Sequence, residues 1–408
     1  MKQRVLAFLT AFCMVLALLP AHAFADEHSH SDEAAALSRL TVTGTYTNPL
    51  YEGVPSSQRL TAPRYLADGE EEFDPDAYLI EYADVLNAIR TGLEQRKATF
   101  DVLWRINQSD VADDDAENTK LKTLILTAAL LSMSHTGVPT QGDYLLWHYS
   151  EIGFTADRIT TGTDDYYYLD ITYTATYYTT AEQEAELTAE LETVMASFGF
   201  NAETSDYDKV KAIYDYICAK VVYDYTNLEN EEYTLKYSAY AAQMHDTAVC
   251  QGYASLLYRM LLTVGVDTRT IVGDAGGPHA WNIVELGDVY YNLDSTWDAG
   301  ETTYSYFLKA PVNFTDHTRD EAYDSAEFHE AYPMTTADYV PGDTHIHAVT
   351  PVAAEPATCT EPGTKAHYLC SCGKLFSDAD ATEEVQAADL VIAATGHTVT
   401  PVAAEPAT

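Results

Sequence analysis

The sequence predicts an α+β fold in which a helix carrying a cysteine packs on an antiparallel sheet carrying a histidine and an aspartate, preceded by a smaller α/β domain and followed by small repeats. Three observations lead there. From Ala254 onward Leu257, Met260, Leu261 and Val264 recur at helical spacing and Gly265 ends the pattern, which puts Cys250 at a helix N-terminus. Ala280 to Leu286 and Val289 to Thr296 read as two strands joined by the two-residue turn Gly287-Asp288. Residues 347–358 return as residues 397–408 with a period of 50, which marks a repeat array whose second copy is incomplete in this chain.

In chain order, Lys2 and Arg4 precede an apolar run from Val5 to Leu19, and Ala23-Phe24-Ala25 supplies small residues for cleavage, the pattern of a secretory signal peptide over residues 1–25. That run is too short and wrongly flanked for a membrane span, so the expected product is exported, with no transmembrane anchor in the mature chain. Residues 26–72 are acidic and poor in periodic hydrophobics and read as a linker. Residues 73–180 read as the N-terminal α/β domain: helical spacing over Tyr78 to Arg96, an extended stretch over Ala98 to Arg105, a second helix over Lys120 to Ser134, and strand alternation over Tyr166 to Tyr178. Thr180 with Gln183 three residues on forms a capping box for a helix running toward Phe198, which opens a second domain over residues 181–340.

Composition narrows the partners. With 22 basic against 63 acidic side chains the net charge is -41, which argues against nucleic acid and anionic membranes as ligands. A hydrophobic content of 47% over 408 residues supports a sizeable core, so the chain is not a disordered one. Leaving out Cys13 in the signal, Cys218, Cys250, Cys359, Cys370 and Cys372 make an odd number without a disulfide framework for the core. Cys218, on an apolar helix face, reads as an inert small hydrophobe.

Cys250 reads differently. The unpaired N–H groups and positive dipole end of a helix favour the thiolate, the attacking species. Glycine at position 252 would let a substrate backbone approach the first turn. Counting outward from the hairpin turn, Leu286 opposes Val289, Trp281 opposes Asp294 and His279 opposes Thr296, so His279 and Asp294 are diagonal neighbours on one face, roughly 7–8 Å apart at the backbone. Inward-leaning side chains close that gap, and the set becomes nucleophile, base and orienter. Asn282 and Asp298 read as ordinary strand and turn residues, and Trp281 and Trp297 as core and pocket wall.

VCQGYA, PHAWN and YYNLDSTWD together resemble the transglutaminase-like superfamily, related to papain-type cysteine proteases, and specifically its bacterial secreted members. DYDKVKAIYDYICAKVVYDY is similar to the helix that precedes the core in that family. The likeness covers residues 205–300 closely and 179–340 loosely. It implies a papain-like core, catalysis by Cys250, His279 and Asp294 on peptide or protein amides without a cofactor, and acyl transfer from thiol to water or an amine. It also implies an upstream side chain that joins the nucleophile's N–H in holding the oxyanion; Tyr240 is favoured, with Gln243 the nearest amide donor and Gln251 and Trp281 further candidates for substrate contact. Hydrolysis is favoured over cross-linking, because water is abundant outside the cell. The alternative is a surface module that keeps the fold for binding or scaffolding.

Residues 345–408 resemble small repeats found on surface proteins of anaerobic Firmicutes, which implies association with the cell envelope. Cys359, Cys370, Cys372 and His397 are candidate ligands for a structural zinc, with His347 and His367 as alternatives. The C-x-C spacing and export favour instead a disulfide from Cys359 to one of the other two.

Overall fold

The computed structural model describes residues 38–47, 74–111, 118–162, 164–340, 349–370, 374–381 and 383–397. The signal peptide and the second repeat copy lie outside the described residues, as do Cys372 and His347.

The first strand, β1 (Ser38–Thr47), comes from the region read as linker. Its inward positions, Leu40, Val42, Gly44 and Tyr46, alternate with exposed threonines, and two aliphatic residues in ten are too few to stand out in the sequence. Gly44 is required: a Cβ there would lie 2.6 Å from the Phe154 ring on the neighbouring strand. Then follow α1 (Tyr82–Glu94), β2 (Thr99–Asn107), α2 (Thr119–Ser132), the short α3 (Asp143–Leu146), β3 (Tyr149–Thr160) and β4 (Tyr166–Tyr177). The four strands pair in the order β1-β3-β4-β2, antiparallel throughout. Residues 73–180, read as an α/β domain, are helices beside an antiparallel sheet that the unpredicted strand β3 centres and β1, from the preceding segment, completes.

Next come α4 (Ala181–Ser197), opened by the Thr180/Gln183 capping box, and α5 (Asp206–Lys220). The helix expected to run on to Tyr225 stops at Lys220, and β5 (Val222–Tyr223) pairs in parallel with β6 (Thr247–Ala248), after α6 (Ala239–Met244). β6 leads into α7 (Cys250–Thr263), whose residues from Gln251 to Leu262 are buried on every side. The second sheet follows: β7 (Thr268–Asp274), β8 (Pro278–Leu286), β9 (Val289–Leu293) and β10 (Thr318–Arg319), ordered β10-β7-β8-β9.

Two cores hold this sheet. Trp281, Ile283 and Tyr290 share one with the N-terminal strands and α1–α2. Val284, Tyr291 and Leu293 share the other with α4 to α7. Burying each large apolar side chain contributes about 1.5–3 kcal/mol, so the N-terminal and catalytic parts are joined by a continuous apolar contact. In the repeat region β11 (Val349–Val352), β13 (His367–Cys370), β14 (Leu375–Phe376) and β15 (Glu384–Val385) form a small antiparallel sheet beside the pair β12 (Gly363–Thr364) and β16 (Val391–Ile392).

Candidate active site

Cys250 is the first residue of α7. The Val249 N–H donates to the Lys236 carbonyl at 3.0 Å, and the β5–β6 pairing holds Thr247 and Ala248, so the backbone leading into Cys250 is fixed while the residue stays partly exposed. Gly252 does not open the first turn to a substrate. A Cβ there would meet Ala248 at 2.6 Å and the Ser238 carbonyl at 2.9 Å, so the chain's own backbone fills that space.

The hairpin has the register given by the turn arithmetic: Leu286 faces Val289 and Asn282 faces Leu293, which continues to Trp281 opposite Asp294. His279 leans across, and its Nε2 lies 2.8 Å from Asp294 Oδ2. An ionised carboxylate only accepts, so Nε2 carries the hydrogen and Nδ1 is the ring nitrogen left for the thiol. His279 hydrogen-bonds to Asp294, and Cys250 lies near enough to act on the charge of its ring. Burial opposes a charge on the ring, but this bond and the adjoining charges outweigh it and push the His279 pKa up to about 10. Burial also works against the Asp294 charge, yet hydrogen bonds from two histidines hold it below the usual carboxylate range.

Asp294 is itself held tightly. Its Oδ1 accepts from the Thr296 and Trp297 amides at 2.9 and 3.2 Å, and the Tyr214 hydroxyl donates to its carbonyl at 2.7 Å. Asp298 takes the Ser305 amide at 2.8 Å, and Asn282 reaches the Ala254 carbonyl at 3.0 Å, pinning β8 to α7. Trp281, buried, and Trp297, 37% exposed, place their rings 6.1 and 5.6 Å from His279. Cys218 lies buried under the site, where burial first and Asp298 second push its pKa up, away from reactivity.

Other expected site residues lie elsewhere. The Tyr240 hydroxyl donates to Glu186 at 2.7 Å, Gln243 pairs with the Tyr216 hydroxyl, and Gln251 donates to the Trp147 carbonyl. Each is engaged with a partner other than the thiol, from buried positions on α6 and the first turn of α7. In the repeat, Cys359 is exposed and Cys370 buried, and the Gly396 N–H donates to the Cys359 carbonyl at 3.1 Å, which brings His397 to that end of the unit.

Two residues were not anticipated. Tyr223 on β5 is electrostatically coupled to Cys250, and its pKa is pushed up by burial and then by that coupling. His317 places Nε2 3.0 Å from the same Asp294 oxygen that His279 uses. Gly273 makes this approach possible: a Cβ there would meet the Thr318 carbonyl oxygen at 2.0 Å, so only glycine lets the strand after His317 close on β7. His279, Asp294 and His317 offer ligand atoms within 4.8 Å of one another, and a metal there would displace both imidazole–carboxylate hydrogen bonds. Among the described residues no helix is long and apolar enough to cross a membrane.

A thiol on a helix tip, an imidazole and a carboxylate in this chain order agree with comparison to known families: residues 195–295 match the model of the Transglutaminase-like superfamily. The chain carries a transglutaminase-like domain. Kyphoscoliosis peptidase of Mus musculus is 31% identical over 141 residues, covering 28% of this chain and 21% of that protein. Its Homo sapiens counterpart is 30% identical with the same coverage. The chain therefore spans about a fifth of the length of these relatives. A solved structure described as the crystal structure of a TGase has 22% identity over 34% of this chain and 43% of its own, with a TM-score of 0.27.

Proposed function

We propose that this protein is an exported cysteine-dependent acyl-transfer enzyme acting on peptide or protein amides through Cys250, His279 and Asp294. The observation that carries the reading is His279 held by Asp294 at 2.8 Å, with Cys250 at the tip of α7 near enough to act on the ring's charge. His279 Nδ1 takes the thiol proton, the thiolate attacks the amide carbonyl, and the imidazolium protonates the departing amine. Asp294 keeps the ring in the tautomer that leaves Nδ1 free and steadies its charged form. Water then resolves the acyl-enzyme; the partial exposure of Cys250 and the peptidase name of the relatives favour hydrolysis over cross-linking. The C-terminal repeats hold the enzyme at the cell envelope, and the complete unit offers Cys359, Cys370, Cys372 and His397 for a structural zinc, or its cysteines for a disulfide.

Mass spectrometry of a peptide library incubated with and without a primary amine tests this. Cleaved peptides should appear with the wild type in both conditions and vanish with Cys250→Ala. Amine adducts without cleavage would replace hydrolysis by transamidation, and unchanged peptides with a folded wild type would leave a binding module.

A further inference from the structure

Asp294 accepts four hydrogen bonds, the full capacity of a carboxylate: two backbone amides on Oδ1, and His279 and His317 on Oδ2 at 2.8 and 3.0 Å. The His317 ring is wholly buried, with ring centroids 4.0 Å from Phe314, 4.6 Å from Trp297 and 5.0 Å from Trp281. Its Nδ1 lies 3.0 Å from Asp316 Oδ1, and the other Asp316 oxygen accepts from the Tyr306 hydroxyl at 2.6 Å. The chain of contacts thus runs from Cys250 through His279 and Asp294 to His317, Asp316 and Tyr306.

We propose that His317 is a positioning residue of the active site, whose Nε2–H fixes the orienter carboxylate so that Asp294 holds His279 in line with Cys250. It touches no reacting atom. Its aromatic surroundings and Asp316 fix the ring, the ring fixes Oδ2, and the amides of Thr296 and Trp297 fix Oδ1, so the carboxylate has no alternative rotamer that keeps its partners. Without the His317 donor one acceptor site of a buried carboxylate is empty, the group turns to find another donor, and the imidazolium loses part of its stabilisation. The thiolate paired with that imidazolium is then harder to form. Besides these partners, the ionisable groups that act on the pair include Tyr214 and Cys218 from α5, Asp298 from the segment after β9, and Tyr223 and Tyr253 from β5 and α7.

This inference rests on the proposed cysteine chemistry, and the experiment separates the two. Iodoacetamide alkylation of Cys250, followed by peptide mass spectrometry across pH, is compared in the wild type, His279→Ala, His317→Leu and His317→Gln. Leucine keeps the packing and removes the donor; glutamine returns an N–H near the Nε2 position. In His317→Leu the half-rise of alkylation should move up by about one pH unit, about a tenfold slower reaction at any pH below it, and glutamine should restore most of the rate. A folded His317→Leu protein with the wild-type profile, a downward shift, or a slower rate with no shift and no rescue by glutamine would each overturn the positioning role. A wild type no more reactive than His279→Ala would overturn both readings. Should the leucine variant fail to fold, Asp316→Asn decides, since that side chain is 45% exposed: a smaller upward shift supports the role and an unmoved profile overturns it.

Discussion

Asp294, fully buried, and Glu184, 13% exposed, are carboxylates that collect donors from separate segments, but Asp294 is faced by two histidines and Glu184 by two arginines. Glu184 takes Arg96 at 3.1 Å, Arg259 at 2.9 Å, the Thr179 hydroxyl at 2.6 Å and the Tyr144 hydroxyl at 2.8 Å. Arg259 stands on α7, the helix that Cys250 begins, while Arg96 and Tyr144 belong to the N-terminal region, so this cluster ties the two parts together beneath the site. Guanidinium groups do not release protons near neutrality, and a carboxylate between two of them is a fixed clamp. Imidazoles exchange protons, and the same architecture becomes a device for moving one. What sets the two regions apart chemically is the titration of the partner.

The largest expected effect breaks the clamp. Glu184→Gln leaves two nearly buried guanidinium groups, at 2% and 3% side-chain exposure, without their counter-charge. Removing one partner of a buried ion pair costs about 3–5 kcal/mol, which urea unfolding at pH 7 would read as a lowered midpoint with little change in slope. Cys250 alkylation below that midpoint should stay at the wild-type rate. A loss under about 1 kcal/mol would show the cluster to be well hydrated and no clamp.

A pH series sharpens the contrast, because the two regions respond with opposite sign. Burial raises the Glu184 pKa, but its arginines and His148 outweigh this and lower it from 4.5 to about 2. This stability is present above 4.5 and is lost as pH falls through 2, about 3 kcal/mol in all. His148, lowered from 6.5 to about 3 by burial and then by Arg96, adds a loss of the same sign that starts below 6.5. His279 is raised from 6.5 to about 10, so its contribution is complete below 6.5 and is lost as pH rises through 10. Unfolding free energy measured from pH 3 to 10 should therefore fall at both ends. Glu184→Gln should flatten the acid fall below pH 4.5, and His279→Gln the alkaline fall; flattening at the opposite end in either variant would reverse the assignment.

How much of this was legible depends on whether a residue's partners are local. Helix α7 announced itself through its apolar spacing, and the hairpin through Gly287-Asp288 and alternation on both sides, so the neighbourhood of His279 and Asp294 followed from counting. His317 could not be found that way. Its place depends on a two-residue strand, β10, lying on β7 where Gly273 leaves room, and no periodicity spans the 23 residues back to Asp294. Strand β3 was missed because Ser150, Glu151, Asp157 and Arg158 interrupt its apolar alternation, and its burial is decided by the two strands flanking it. The opposite error befell Gly252, whose space looked open in sequence and is filled by residues 236–238, brought back by the β5–β6 pairing.

The smallest effect concerns Tyr240, where position in the sequence and position in space part company. The family resemblance made it the favoured oxyanion donor, yet its hydroxyl donates at 2.7 Å to Glu186, an exposed carboxylate on α4, and its ring lies 5.6 Å from His245. A solvent-facing hydrogen bond of this kind contributes about 0.5–1.5 kcal/mol at most, and water replaces the hydroxyl when phenylalanine removes it. A donor aimed at a developing oxyanion is worth far more, about 100- to 1,000-fold in rate. Tyr240→Phe should therefore leave turnover of any peptide cleaved by the wild type within about twofold, the scale of an ordinary surface change. Tyr223, coupled to the thiol from β5, is the tyrosine whose replacement by phenylalanine should lower that turnover more, and the reverse order between the two variants would return the oxyanion role to α6.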